Sequence, residues 1–184
     1  VDSTRYSRTN DSRRTEVIFY ARPNTARRAT EFGLLVLEEL ARRRPDITIN
    51  IFGADVSHEH ISFPYVNHGA LDVSQLSPLF NKCAVGFSLS MTNVSLFPLE
   101  AMACGAVPIL NDGENTREAL LDDPGIEFVP MSPALMAERI IQAVDRPDQV
   151  EYSRKIAASV EGSSWDASGK RVVDAVNKVM GRGK

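Results

Sequence analysis

Residues 97–110 of this 184-residue chain read FPLEAMACGAVPIL. One acid, Glu100, sits among Leu99, Ala101, Met102 and Ala103, in a segment otherwise composed like a buried helix that runs through Gly105 into an apolar strand. A carboxylate in such a place calls for a partner, because an unpaired buried charge is costly. It can accept two hydroxyls at once, which suits a ribose diol. The polar run Met91, Thr92, Asn93, Val94, Ser95 leads into the same helix. Its amides near residues 94–96 can point at an anion, with the helix dipole behind them. Arg22, Asn24, Arg27 and Arg28 follow the apolar run EVIFYA, and guanidinium groups offer paired donors to phosphate oxygens. Arginines, a polar loop at a helix start and a carboxylate are what a nucleotide needs. The competing reading is a solvated rim with scattered charges.

Those residues need a frame that brings them together. The β-branched and aromatic runs EVIFYA (16–21), ITINIF (47–52), AVGFSLS (84–90), AVPIL (106–110) and IEFV (126–129) read as buried strands. ISFPYV (61–66) is expected as a short third strand weakened by Pro64. A helix from Thr30, its expected N-cap, carries Phe32, Leu35, Val36 and Leu40 on one face. Further helices are expected at 72–82, at 97–104 closing on Gly105, at 115–122, and from the Ser132-Pro133 pair to Asp145, with two more split near Gly162-Ser163. Alternating strands and helices with short links predict an α/β doubly wound parallel sheet. In that fold ligands bind beyond the carboxyl ends of the strands, where the arginines and the polar loop fall.

Hydrophobic residues make up 43% of the chain and charged ones 24%, with a net charge of −3. That is the profile of a globular domain and argues against a broad nucleic-acid surface. No apolar run reaches the roughly 18 residues of a membrane span. Residues 1–15 are almost wholly polar and are expected as a disordered arm or linker before the domain at 16–184. The absence of an initiator Met is read as a start inside a longer protein. Cys83 and Cys104 form no CxxC and are expected as buried free thiols. His58 and His60 flank Glu59 without a third ligand, so a loop is expected there and no metal site. His68 is expected to be structural, Asp122-Asp123 a turn, Trp165 a core anchor, and Arg42, Arg43 and Arg44 a complement to their helix dipole. Glu118 is equally balanced between a ligand contact and its own short helix. Neither G-x-G-x-x-G nor G-x-x-x-x-G-K-[ST] occurs, and no D-x-D pair is present to bridge a diphosphate through a metal.

The stretch N-V-S-L-F-P-L-E-A-M-A-C-G-A-V-P-I-L (93–110) resembles the donor-binding motif of GT-B glycosyltransferases of the glycogen-synthase and sucrose-synthase-like group, whose usual form is E-G-F-G-L-P-x-L-E-A-M-A-C-G-x-P-V-V. A-R-P-N-T-A-R (21–27) is similar to that family's G-R-x-x-x-x-K loop, H-G-A (68–70) to its Gly loop beside the base, D-G-E-N-T-R-E (112–118) to its G-G-x-x-E-I-V segment, and S-S-W-D-A-S (163–168) to the Trp-containing start of its last helix. The resemblance covers roughly residues 16–180.

What the resemblance implies is one Rossmann-like half of a GT-B fold, the donor side, with the N-terminal acceptor domain lying outside this sequence. Glu100 would accept the ribose hydroxyls. Arg22 and Arg27 would act on the diphosphate as the catalytic pair. Thr92, Asn93, Val94, Ser95, Leu96 and Gly69 would complete the donor site. The substrate implied is a nucleotide-diphosphate sugar without a metal or other cofactor, and the partner a glycan or similar acceptor bound by the other half. Nucleic acid is not expected. A cytoplasmic enzyme is, with peripheral membrane contact through the other half. The isolated domain is expected to be inactive as a transferase. Thr92 stands where the family has its first Glu, and Asn93 and Ser95 replace its two glycines. These departures, with F-Y-A-R-P, resemble rhamnosyltransferases using dTDP-rhamnose among the hexosyltransferases. A non-catalytic nucleotide-binding module and a GT-B-type nucleotide-sugar epimerase remain as alternatives.

Overall fold

A computed structural model of the chain describes residues 1–2, 4–120, 123–162 and 164–181. Six strands form one parallel sheet: β1 (Glu16–Tyr20), β2 (Ile49–Phe52), β3 (Val66–Asn67), β4 (Cys83–Ser88), β5 (Val107–Asn111) and β6 (Glu127–Val129), in the order β3-β2-β1-β4-β5-β6. The central strands are buried on both faces, which is why they read as continuous apolar runs. Val17 and Phe19 of β1 point to one face and Ile18 to the other.

The first face is covered by α1 (Thr30–Arg43) and α5 (Pro133–Asp145), through Val36, Leu37 and Leu40 of one and Met136, Ala137 and Ile140 of the other. The second is covered by α2 (Val73–Lys82) and α3 (Phe97–Ala103), through Leu79, Phe80, Phe97, Ala101 and Met102. Then come α4 (Glu114–Ala119), α6 (Gln149–Ser159), which packs on α3 and α5, and α7 (Trp165–Val179). The doubly wound α/β arrangement expected from the alternation of elements is the one found. No helix among the described residues is long and apolar enough to cross a membrane. Cys83 and Cys104 are free and buried.

Four local expectations need correction. The third strand is Val66–Asn67 alone, and 61–65 stays irregular, since Pro64 denies the ladder a donor. Thr30 is the first helical residue and Ala29 the cap, in a left-handed conformation at φ 43°. The Thr30 hydroxyl instead accepts from the Arg22 amide at 3.0 Å. Trp165 is no core anchor but 64% exposed, on a helix with no buried residue.

The largest correction concerns residues 4–15, which lie against the domain rather than free of it. Tyr6 and Arg14 are each 4% exposed. Arg14 donates to the carbonyls of Cys104 and Gly105 and to the Ser153 hydroxyl, while Gln149 brackets its backbone at 2.7 and 2.9 Å. Asn81 holds the Ser7 carbonyl at 2.9 Å and the Thr9 amide at 2.7 Å. Polar residues here are buried by hydrogen bonding, which composition does not report. Of the Asp122-Asp123 turn and the 115–122 helix, residues 121–122 lie outside the described residues, as does Ser163.

Close approach of α1 to the sheet rests on Gly33. A Cβ there would stand 2.2 Å from the Phe19 ring. Alanine would gain up to about 1 kcal/mol in helix propensity, yet overpacking a fixed core costs about 1–3 kcal/mol. Gly33→Ala is therefore expected to lower stability by roughly 1–2 kcal/mol. Urea denaturation checks this, and an unchanged midpoint would show that α1 can slide away from β1.

Candidate functional site

β1 pairs with β2 on one side and β4 on the other. The chain reverses its direction of winding there, so the loops leaving β1 and β4 diverge and open a crevice at their carboxyl ends. A cavity of about 380 Å³ occupies it, lined among others by Tyr20, Arg22, Phe52, Gly53, Ala70, Ser95, Leu96, Phe97, Glu100 and Tyr6. Its floor is aromatic: Phe97 stacks near Tyr20 and near Phe52, each with centroids 5.8 Å apart.

The loops are pinned to each other. Ser90 and Asn111 exchange two hydrogen bonds, at 2.8 and 2.9 Å, tying the β4 loop to the end of β5. The Ser90 hydroxyl donates to the Asn93 carbonyl. Met91 donates its amide to the Arg27 carbonyl at 2.8 Å, tying the same loop to the one after β1. Among the described residues no backbone partner takes the amides of Val94, Ser95 or Leu96. The Ser95 hydroxyl is buried without a hydrogen-bond partner. Buried donors normally find partners, so this edge of the cavity is left with unused hydrogen-bonding capacity.

Glu100 lies one turn into α3 and lines the cavity. Burial raises its pKa above the ordinary carboxylate value, against the pull of the Val1 amino group and of the nearby Tyr6 hydroxyl. The Tyr6 hydroxyl is itself pushed up to about 12, by burial first and then by the Glu100 charge. Arg22 is exposed at the rim and reaches the Tyr20 hydroxyl at 3.4 Å.

Of the residues expected in the site, Arg22, Ser95, Leu96 and Glu100 meet around this cavity. Thr92 and Asn93 are exposed on the loop beside it, and Val94 is part-buried there. Arg27 is exposed on the short 3-10 turn Ala26–Arg28 and is not among the lining residues, while Arg28 is buried with its guanidinium 5.6 Å from the Tyr20 ring. Gly69 sits at φ 60° and accepts from the Gly53 amide at 2.8 Å, so it shapes the rim that Ala70 lines. Glu118 is exposed on α4, away from the cavity lining. His68 meets Asn50 at 2.9 Å as a structural group, with its pKa lowered by burial. Among the described residues no His, Cys, Asp and Glu side chains cluster as a metal would require. α3 has only seven residues, so the anion field expected from its dipole is small beside Arg22 and the loop amides. Sequence reasoning missed Tyr6, Tyr20 and Phe52. The last two carried a signal, as the aromatic ends of adjacent strands.

The profile of the family described as WsaF, C-terminal domain, matches residues 15–141. The chain belongs to that family. The O-antigen biosynthesis protein RfbC of Myxococcus xanthus is 29% identical over 162 residues, covering 85% of this chain and 13% of RfbC. Among solved structures, S. aureus TarM, determined with fondaparinux, alpha-GlcNAc-glycerol and UDP, has a TM-score of 0.72 at 14% identity over 91% of this chain and 36% of its own. Anabaena HepE, determined with UDP and glucose, has a TM-score of 0.73 at 12% identity over 96% of this chain and 55% of its own. The fold is one Rossmann-like half of a GT-B fold, and the chain spans only part of each of these proteins.

Burial of Glu100 has a thermodynamic sign. Its folded pKa lies above the unfolded one, so the unliganded fold bears no cost below the unfolded carboxylate value. The cost develops as pH rises from there through the folded pKa and is full above it. Glu100→Gln removes it. The variant is expected to melt on the order of 1–3 °C higher than wild type at pH 7, with the gap closing as pH falls through the carboxylate range. Melting curves of the ligand-free proteins from pH 3 to 8 check this.

Proposed function

We propose that this domain holds the donor of a glycosyl transfer, a nucleotide-diphosphate sugar, in the cavity between β1 and β4. The observation that carries the reading is a pocket at the switch point that joins a part-buried carboxylate, Glu100, to an unpartnered hydroxyl, Ser95, above an aromatic floor. Glu100 accepts the ribose hydroxyls. The base lies over the Tyr20, Phe52 and Phe97 side. The diphosphate meets Arg22 and the loop amides at 94–96, with Arg27 reaching it from the neighbouring turn. The resemblances to TarM and HepE, each solved with UDP, support this placement. RfbC supports a role in O-antigen biosynthesis.

The chemistry asks little covalent work of these residues. The bond from the sugar's anomeric carbon to the diphosphate oxygen breaks as an acceptor hydroxyl attacks, and negative charge grows on the leaving phosphate. Arg22 and the preorganised amides lower the barrier to the extent that they hold that charge more tightly than they hold the bound donor. The acceptor, and any base that takes its proton, belong to another part of the protein, which would also carry any membrane contact. Among donors, dTDP-rhamnose is the one the Thr92 substitution favours.

Calorimetric titration with dTDP, UDP, GDP and ADP tests the reading. One diphosphate is expected to bind saturably. Glu100→Ala should weaken it by about 1.5–3 kcal/mol, the worth of hydrogen bonds to a charged group, or roughly 10- to 150-fold. Absence of binding by all four, or an affinity indifferent to Glu100, would overturn the assignment. Ser95→Ala is expected to weaken the same diphosphate by about 0.5–1.5 kcal/mol without loss of stability, measured by the same titration.

A further inference from the structure

We propose that the groove between α7 and the ends of α4 and α6 is a glycan subsite, in which Trp165 is the platform for a neutral sugar residue of the acceptor chain. This rests on the donor-site reading above and names the class of acceptor that the transfer serves.

The groove has a volume of about 440 Å³, within the range of small-molecule sites. Leu99 of α3, with Leu120 and Val160 at the ends of α4 and α6, gives it an apolar side. α7 gives it Ser164, Trp165, Ser168 and Arg171. These recur at spacings of three and four residues and so share one face of the helix. The Ser164 hydroxyl is spent on the helix start, where it accepts from the Ala167 amide at 3.0 Å. The other three side chains are uncommitted. Among the described residues, the Trp165 indole, the Ser168 hydroxyl and the Arg171 guanidinium make no hydrogen bond or ion pair. Asp123, on the same groove, takes the Gly125 amide at 2.8 Å with one carboxylate oxygen and keeps the other.

This lining suits a pyranose better than its rivals. One face of such a ring is a patch of C–H groups, which an indole can cover. Its rim is hydroxyls that both donate and accept. Trp165 and Arg171 supply donors, Asp123 an acceptor, and Ser168 either. Asp123 and Arg171 are the charged side chains of the lining, and they balance, so the groove favours no anion. An apolar protein segment would cover these donors and leave them unpartnered, which is costly. The groove also continues the donor cavity. Leu96, at the start of α3, lines both. The reacting end of the acceptor stays with the other part of the protein, and sugar residues further along the same chain lie past Leu96 against Trp165.

Trp165 is the chain's one tryptophan, so its emission reports on the groove directly. The test titrates the complete chain with three neutral trisaccharides, of rhamnose, mannose and glucose, and with the apolar dye ANS. At least one trisaccharide is expected to shift the emission saturably to shorter wavelength. Arg171→Ala keeps the reporter and should weaken that sugar about 3- to 10-fold. Trp165→Ala, followed by calorimetry, should lose the binding at an unchanged melting temperature, because α7 buries no residue. An emission unmoved by all three sugars overturns the proposal, as does an affinity indifferent to Arg171. A groove that takes ANS and none of the sugars is a protein-docking face, which overturns it too. Titration of the wild type with the four nucleoside diphosphates separates the two readings. A diphosphate bound without any sugar removes the glycan subsite alone. A sugar bound without any diphosphate removes the donor-site reading, and with it the acceptor role given to the groove.

Discussion

The pairing of β1 with both β2 and β4 is the constraint from which the site follows. Parallel strands cannot be joined by tight turns, so each crossover must pass over a face of the sheet. The β1–β2 crossover goes by way of α1 on one face, and the crossover from β4 to β5 goes by way of α3 on the other. The loops leaving β1 and β4 must therefore part, and the space between them is open by topology. What the sequence adds is the lining. Tyr20 and Phe52 end adjacent strands, and Phe97 opens the helix above them. The crevice thus gains an aromatic floor from residues that also close the core.

Glycine decides how deep that crevice lies. At Gly86 a Cβ would come within 3.0 Å of Ala101 Cβ and 3.2 Å of the Phe97 ring. A side chain at Gly86 would lift α3 off β4 and carry Glu100 outward with it. The small residues Gly86 and Ala101 set the height of the helix, and the helix sets the height of the carboxylate. A packing choice in the core therefore fixes how strongly Glu100 is desolvated.

The same reasoning explains what was legible in the sequence. Buried parallel strands announce themselves, because both faces must be apolar and β-branched or aromatic residues satisfy that. Glu100 was conspicuous because it broke such a pattern. Arg22 was legible as the first cation after a buried strand. Arg27 was less so, since its neighbour Arg28 turned inward over Tyr20, and spacing cannot tell which of two adjacent arginines takes the buried place. Tyr6 and Arg14 were illegible for a different reason. A segment buried by its hydrogen bonds rather than by its apolar area looks in composition like a solvated arm. Its partners, Asn81, Cys104, Gly105, Gln149 and Ser153, are spread over 73 positions of sequence from Asn81 to Ser153. Trp165 erred in the opposite sense, because a large aromatic side chain suggests burial, whereas α7 carries its apolar residues outward.

Arg14 shows why the segment before β1 stays in place despite its polarity. Burial lowers its pKa to about 10, which leaves it charged at neutral pH with no carboxylate paired to it among the described residues. Its compensation is a set of carbonyls at the end of α3, where the helix leaves acceptors unsatisfied, together with the Ser153 hydroxyl. The carbonyls of Cys104 and Gly105 need a donor as much as the guanidinium needs acceptors. Removing Arg14 would therefore leave orphaned acceptors in the core as well as release the strap. The strap is bound to the same short helix whose first turn carries Glu100 and whose first residue, Phe97, forms part of the floor. One end of α3 anchors the segment, and the other receives its tyrosine. The floor of the cavity is a joint product of the sheet and of a stretch that precedes it in the chain.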